Sequence, residues 1–277
     1  TWRVQRFEVV GYKGDRGQIL RSTDEIQQTL EDQMMNLSSM MSSRFVTPFL
    51  DLTHKWEKLM STISEVIEVW MKVQAKWMYL EAIFIGSEDI RLQLPEEAKR
   101  FDRIHAAFKK IMADTAKNPN VLDTCTAEGR LSTLQGLFSQ LEACQKSLSD
   151  YLETKRTAFS RFYFLSDDEL LQILRTSDPT AVQEHMLKLF DNTASITFDR
   201  TAAKVPEMTS SEKESFQFQT PQGTEGAAAS WLGHVEGELI TTPRYLMTVS
   251  LLQYPRSDRV DRLTDHPGPC VNTAPPL

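Results

Sequence analysis

Residues 47–84 read TPFLDLTHKWEKLMSTISEVIEVWMKVQAKWMYLEAIF. Within them Phe49, Leu52, Trp56, Leu59, Ile63, Val66, Trp70, Val73, Trp77, Leu80 and Phe84 follow one another at alternating steps of three and four. That spacing lines one face of a helix with 3.6 residues per turn. Thr47 as N-cap and Pro48 in the first turn predict where the helix starts. At about 1.5 Å per residue it would be on the order of 50 Å long, with one continuous seam to bury. A rod of that length does not fit at the centre of a compact sphere of 277 residues. The spacing therefore predicts a mainly α fold, an elongated multi-helix bundle or stacked array with neighbours packed along the seam.

Moving outward, residues 3–20 alternate in a strand-like way through Val4, Phe7, Val9 and Tyr12, reach Gly14-Asp15-Arg16-Gly17 and resume at Gln18-Ile19-Leu20, which predicts a small hairpin. Ser22 and Glu25 form a candidate capping box for a helix carrying Ile26, Leu30, Met34, Leu37 and Met41. Pro95-Glu96-Glu97 starts a helix with Phe101, Ile104, Phe108 and Ile111 inside, and Asn118-Pro119-Asn120 turns the chain after it. From about Ala127 a third long helix repeats the seam with Leu131, Leu134, Phe138, Leu141, Leu148 and Leu152, interrupted at Gln145. Ser166 with Glu169 predicts another capped helix, and Asp178-Pro179 one more, its inner face being Val182, Met186 and Leu189. Ser195–Phe198 and Ser215–Gln219 alternate at period two and read as a second hairpin; Trp231, Val235 and Leu239 suggest a further helix. Residues 254–277 hold Pro255, Pro267, Pro269, Pro275 and Pro276 and little periodicity. The organisation expected is an opening β-hairpin over 1–21, a helical region over 22–243 with a hairpin near 195–219, and a divergent proline-rich, disordered tail over 244–277.

Composition is ordinary for a globular chain, 40% hydrophobic and 25% charged. A net charge of −7 argues against a general nucleic-acid surface, which needs clustered cations to displace counterions. Cys125, Cys144 and Cys270 are odd in number and form no CxxC pair, so neither a disulfide framework nor a zinc site is indicated, and a reducing compartment fits. No apolar run reaches the length of a membrane span. The start, Thr1-Trp2-Arg3, reads as that of a partial chain without a signal peptide.

Chemistry-bearing patterns are scarce. A phosphate-binding loop needs glycine-rich backbone leading into lysine, and no Gly-Lys pair occurs among the eleven glycines. The five histidines never take the two-histidine helical spacing of a zinc protease. No catalytic, cofactor-binding or metal-ligating residue is assigned. His105 reads as a satisfied or solvent-facing helical histidine, Cys144 as a buried structural thiol, and the tryptophans at 56, 70 and 77 as core. Asp167, Asp168 and Glu169 read as capping and dipole carboxylates rather than an acid-base cluster. The candidate joint and interface residues are Phe159, Arg161, Phe162, Tyr163 and Phe164, set between a charged helix end and a new helix start. Arg161 could stack on Tyr163 or a neighbouring ring, or pair with a carboxylate on the previous helix. If Phe162 and Tyr163 are both internal, their replacement by alanine should cost several kcal/mol.

Tyr151-Leu152-Glu153-Thr154-Lys155-Arg156 followed by Phe159-Ser160-Arg161-Phe162-Tyr163-Phe164 resembles the linker signature of dynein heavy chains, in which a Tyr-Leu-Glu-x-Lys-Arg run leads into Phe-Pro-Arg-Phe-Tyr-Phe. Phe45–Phe49, Trp70–Phe84 and Asp89–Glu97 resemble further linker motifs in the family's order, so the resemblance covers roughly residues 2–243. Ser160 stands where the family usually has proline, so the stiffness that proline gives the joint in relatives is not expected to carry over. Asp167 stands where axonemal members usually have asparagine, a nearly neutral change at a helix start. Phe164–Leu171 is closer to the axonemal wording than to the cytoplasmic one.

The resemblance implies a linker N-terminal to an AAA+ ring, a mechanical lever for microtubule-based, ciliary motility that responds to ATP without consuming it. It implies the ring, absent from this chain, and the dynein intermediate and light chains as partners, and a place in the cytoplasm, cytoskeleton and axoneme. No cofactor, nucleic acid, membrane or direct microtubule contact is expected. A free-standing helical scaffold or adaptor uses the same seams and is the alternative reading; a small helical hydrolase lacks a site. The expected role of Lys155–Ser166 is to fix the angle between successive helical segments.

Overall fold

The computed structural model describes residues 2–176 and 178–253. It is mainly α with two small antiparallel sheets, as the periodicities predict. Two compact units, Thr1–Leu148 and Ser149–Leu277, divide within the longest C-terminal seam helix.

The first unit opens with β1 (Val9–Tyr12) and β2 (Gly17–Leu20), antiparallel with Val9 opposite Leu20. The turn between them holds Lys13 at φ 44° and Gly14 at φ 70°, left-handed backbone that Gly14 adopts at no steric cost. Helix α1 (Asp24–Met41) follows. The expected Ser22–Glu25 capping box is not made: Thr23 occupies the N-cap position, and the Ser22 hydroxyl donates to Asp24 instead. A short 3-10 turn, Thr47–Phe49, leads into α2 (Leu50–Phe84), then α3 (Glu88–Gln93), α4 (Pro95–Lys117), α5 (Val121–Cys125) and α6 (Arg130–Ala158).

Helix α2 organises the core. Trp70 and Trp77 are fully buried, with Phe7 5.6 Å from Trp70, and with Tyr12 5.3 Å and Phe108 4.8 Å from Trp77, ring centre to ring centre. Burial of the seam is incomplete. From Met60 to Phe84 its positions are covered, but Leu52 and Phe49 are exposed, Phe49 by 63%, and Trp56 and Leu59 are half-buried. Two polar side chains on the buried face of α2 clamp the hairpin. Gln74 accepts from the Leu20 N–H and donates to the Leu20 carbonyl, both at 2.8 Å, taking the place of a neighbouring strand. Glu81, with 0% of its side chain exposed, receives Lys13 at 3.2 Å and Arg16 at 3.1 Å.

On α6 the buried positions are Leu134, Leu137, Leu141, Cys144, Leu148 and Leu152. Cys144 bridges the apparent break at Gln145, since a small apolar thiol packs like an aliphatic group. Burial raises the pKa of both described thiols, that of Cys125 to about 12, so both are protonated packing groups.

His105 on α4 stacks on Trp77 at 5.6 Å and accepts the Trp77 indole N–H on Nδ1 at 3.2 Å. Burial, followed by the Lys109 charge, lowers its pKa below the ordinary 6.5, against the smaller opposing pull of Glu81 and Asp102. A histidine held neutral contributes stability that is complete above its unfolded pKa and declines as pH falls below it. Thermal melts followed by tryptophan fluorescence should therefore show the first unit losing stability from pH 7 to pH 5 more steeply than a His105→Gln variant, whose amide oxygen still accepts the indole N–H. A wild-type slope no steeper than the variant's would contradict this.

The second unit continues from α6 through a 3-10 turn, Ser160–Phe164, into α7 (Asp167–Leu174). After a second 3-10 segment, Pro179–His185, come α8 (Met186–Leu189), β3 (Thr193–Thr197), β4 (Lys204–Ser210), β5 (Ser215–Gly223) and α9 (Ala228–Gln253). The expected second hairpin is a three-stranded sheet in the order β3-β4-β5. Its two predicted strands do not pair with each other; each pairs with β4, which was hidden by Pro206. Proline lacks a ladder donor, and here it sits where the β4–β5 register shifts between Val205 and Glu207. Helix α9 extends through residues 244–253. Residues 244–253 are therefore helix rather than the start of the disordered tail expected over 244–277; the rest of that tail, from residue 254 and with Cys270, lies outside the described residues.

Candidate functional site

Helix α6 ends at Ala158, where Phe159 turns extended at φ −141°, ψ 100°. The 3-10 turn follows, Leu165 is again extended, and α7 begins behind Ser166. The predicted capping box is present: Ser166 accepts from the Glu169 N–H, and Glu169 accepts from the Ser166 N–H at 3.0 Å. Asp167 and Asp168 lie in the same first turn, the dipole-compensating place expected of them.

The aromatic cluster divides by face. Phe162 is 0% exposed and Phe159 is buried, the two rings meeting edge-on at 5.0 Å with Phe190 6.2 Å from Phe159. Tyr163 is 55% exposed and Phe164 65% exposed, so the pairing of Phe162 with Tyr163 as joint core residues does not hold. A tight turn sends neighbouring side chains in different directions. The Tyr163 hydroxyl donates to Glu153 on α6 at 2.5 Å, and this carboxylate holds the phenol above its ordinary pKa.

Three charged contacts fasten the turn. Arg161 donates through Nε to Glu236 at 2.7 Å and through Nη1 to the Leu189 carbonyl at 3.0 Å, with its guanidinium 5.0 Å from the centre of the Phe190 ring. The stacking partner is thus Phe190 rather than Tyr163, and the carboxylate belongs to α9 rather than to the preceding helix. Arg156 donates to the Leu165 carbonyl at 3.1 Å and to Asp167 at 2.8 Å, linking the end of α6 to the start of α7. Lys188 pairs with Glu169, and this cation, then the Ser166 N–H, hold the carboxyl down at about 2. Arg156 closes the run Tyr151–Arg156, and its place in the last turn of α6 is the one local signal for its role. Glu236 and Phe190 gave none.

The backbone at Phe159 is what a residue preceding proline adopts. No described backbone acceptor outside the turn takes the Ser160 N–H. Ser160→Pro should therefore stabilise the second unit by about 0.4–1 kcal/mol, mainly by restricting the unfolded chain. Chemical denaturation would check this, and a lower midpoint would mean that the turn cannot hold the ring.

Among the described residues no group of three or more His, Cys, Asp or Glu side chains could hold a metal ion, and no helix is long and apolar enough to cross a membrane. What the arrangement offers is a change of chain direction held by side-chain contacts.

The family model described as dynein heavy chain, N-terminal region 2, matches residues 1–250. This chain belongs to the dynein heavy chain family. The segment is 56% identical over 271 residues, 97% of its length, to the dynein-1-alpha heavy chain of the flagellar inner arm I1 complex of Chlamydomonas reinhardtii. It is 50% identical over 281 residues to dynein axonemal heavy chain 10 of Homo sapiens, covering 99% of this chain. It is 39% identical over 274 residues, 97% of this chain, to dynein axonemal heavy chain 9 of Homo sapiens. The matches continue past residue 243, where the legible motifs end. The dynein segment spans about 6% of the length of each of these relatives.

Proposed function

We propose that this segment is the mechanical linker of a dynein heavy chain, carrying ATP-driven shape changes of the AAA+ ring into microtubule-based movement within a ciliary or flagellar axoneme. The observation that supports it most is the fastened turn at the end of a long helix. A lever needs stiffness along its length and a defined geometry where it changes direction. Helix α6 supplies 29 residues of continuous helix, and the turn after it is held by Arg156, Arg161, the capping box and two buried rings. The names of the relatives, flagellar and axonemal heavy chains, support the axonemal setting.

In this reading the ring of the same heavy chain is the partner that moves the segment, and intermediate and light chains belong to the surrounding complex. Different nucleotide states of the ring would favour different positions of the lever by binding it with different strength. The segment itself turns over no nucleotide. The test replaces it, in a full-length axonemal heavy chain, by a flexible spacer of equal residue number. Retained ATP turnover with loss of microtubule gliding supports a lever. Gliding at the original speed would refute it, and ATP turnover by the purified 277-residue chain would refute the non-catalytic assignment.

A further inference from the structure

The start of α2 and the 3-10 turn before it leave part of the apolar stripe uncovered. Phe49 and Leu52 are exposed, Trp56 is half-buried, and Leu59 continues the same stripe into a groove of about 550 Å³. The other wall of the groove is the turn from α5 into α6, including Gly129 at φ +71° and Arg130. Its charged lining is Lys55, Lys58 and Arg130 against a single carboxylate, Glu128. Among the described residues none of these three cations takes part in an ion pair. Two further acids lie outside the lining: Asp114, whose charge acts on Arg130, and Glu65, which accepts from the lining residue Gln135 at 3.3 Å.

Arg130 is positioned rather than loose. Its Nε donates to the Thr124 carbonyl at 3.3 Å and its guanidinium lies 5.5 Å from the centre of the Trp70 ring. Lys55 and Lys58 are exposed and have free choice of partner. A local excess of positive charge in a chain of net charge −7, beside an uncovered apolar stripe at helical spacing, is complementary to one kind of partner.

We propose that this groove and stripe form a docking site for an acidic amphipathic polypeptide segment, its apolar side chains lying on Phe49, Leu52 and Trp56 and its carboxylates facing Lys55, Lys58 and Arg130. The charges set selectivity and encounter rate, while the stripe supplies the desolvated contact. Exposed cations respond to salt, so docking weakens as ionic strength rises.

Fluorescence anisotropy of the 277-residue chain with a labelled twelve-residue peptide carrying Leu at helical spacing and Glu elsewhere tests this. Saturable binding is expected, weakened about tenfold or more by Lys55→Glu with Lys58→Glu, and several-fold when salt is raised from about 0.05 to 0.5 M. Leu52→Asp should weaken it independently. The same peptide with Lys in place of Glu, measured on the unaltered chain, should bind at least tenfold more weakly. Equal affinity for the two peptides, or binding insensitive to both the lysine reversals and Leu52→Asp, would overturn the proposal. Complete displacement by millimolar inorganic phosphate would also overturn it, because the groove would then hold a simple anion only.

Discussion

Phe162→Ala is expected to destabilise the second unit by about 3–5 kcal/mol, the cost of removing a fully buried aromatic ring and leaving a cavity. Phe162 is 0% exposed and stands edge-on to Phe159, which in turn neighbours Phe190. One substitution therefore loosens the packing that joins the end of α6, the 3-10 turn and the residue after α8. Tyr163→Ala and Phe164→Ala provide the contrast. Both side chains are exposed, and each change should cost less than about 1 kcal/mol, as surface substitutions do. Urea denaturation of the three variants gives the comparison, and similar midpoints for all three would mean that the turn is not a packed element.

The second large effect concerns Glu81. Its carboxylate is removed from water and paired with Lys13 and Arg16, whose own side chains are each 45% exposed. Replacing both cations by alanine leaves an uncompensated buried charge. That loss costs about 3–5 kcal/mol when a pair is fully enclosed. The partial exposure of the two cations lets water substitute for them to some extent, so about 2–3 kcal/mol is expected here. Glu81→Gln in the same background should recover most of the loss, because it removes the stranded charge while the cations' places stay empty. If the double variant melts like the parent, the hairpin is not fastened to α2 by this contact.

The elements legible in the sequence are those whose cause is local. Three-and-four spacing from Phe49 to Phe84 indicated α2, Pro95 the start of α4, and Ser166 with Glu169 the start of α7. Positive-φ backbone beside Gly14 formed the first hairpin as the glycines suggested. What could not be read depends on partners far along the chain. Glu236 lies 75 residues from Arg161, and Leu20 lies 54 from Gln74. Periodicity marks which face of α2 is apolar but not how much of it a neighbour covers, which is why Phe49 and Leu52 are exposed. β4 was invisible because Pro206 breaks the strand pattern at the position where a register shift accommodates it. Phe159, Arg161, Phe162, Tyr163 and Phe164 lie between α6 and α7. The inward direction of Phe159 and Phe162, the outward direction of Tyr163 and Phe164, and both partners of Arg161 required the fold.

The force-bearing role proposed for the turn after α6 is tested most directly by microtubule gliding velocity read together with ATP turnover in a full-length axonemal heavy chain carrying Arg161→Ala. Removal of the Glu236 and Leu189 contacts should leave ATP turnover near its original rate while gliding slows several-fold, because ring chemistry continues but less of each shape change reaches the load. Unchanged velocity at unchanged turnover would contradict the joint as a transmitting element.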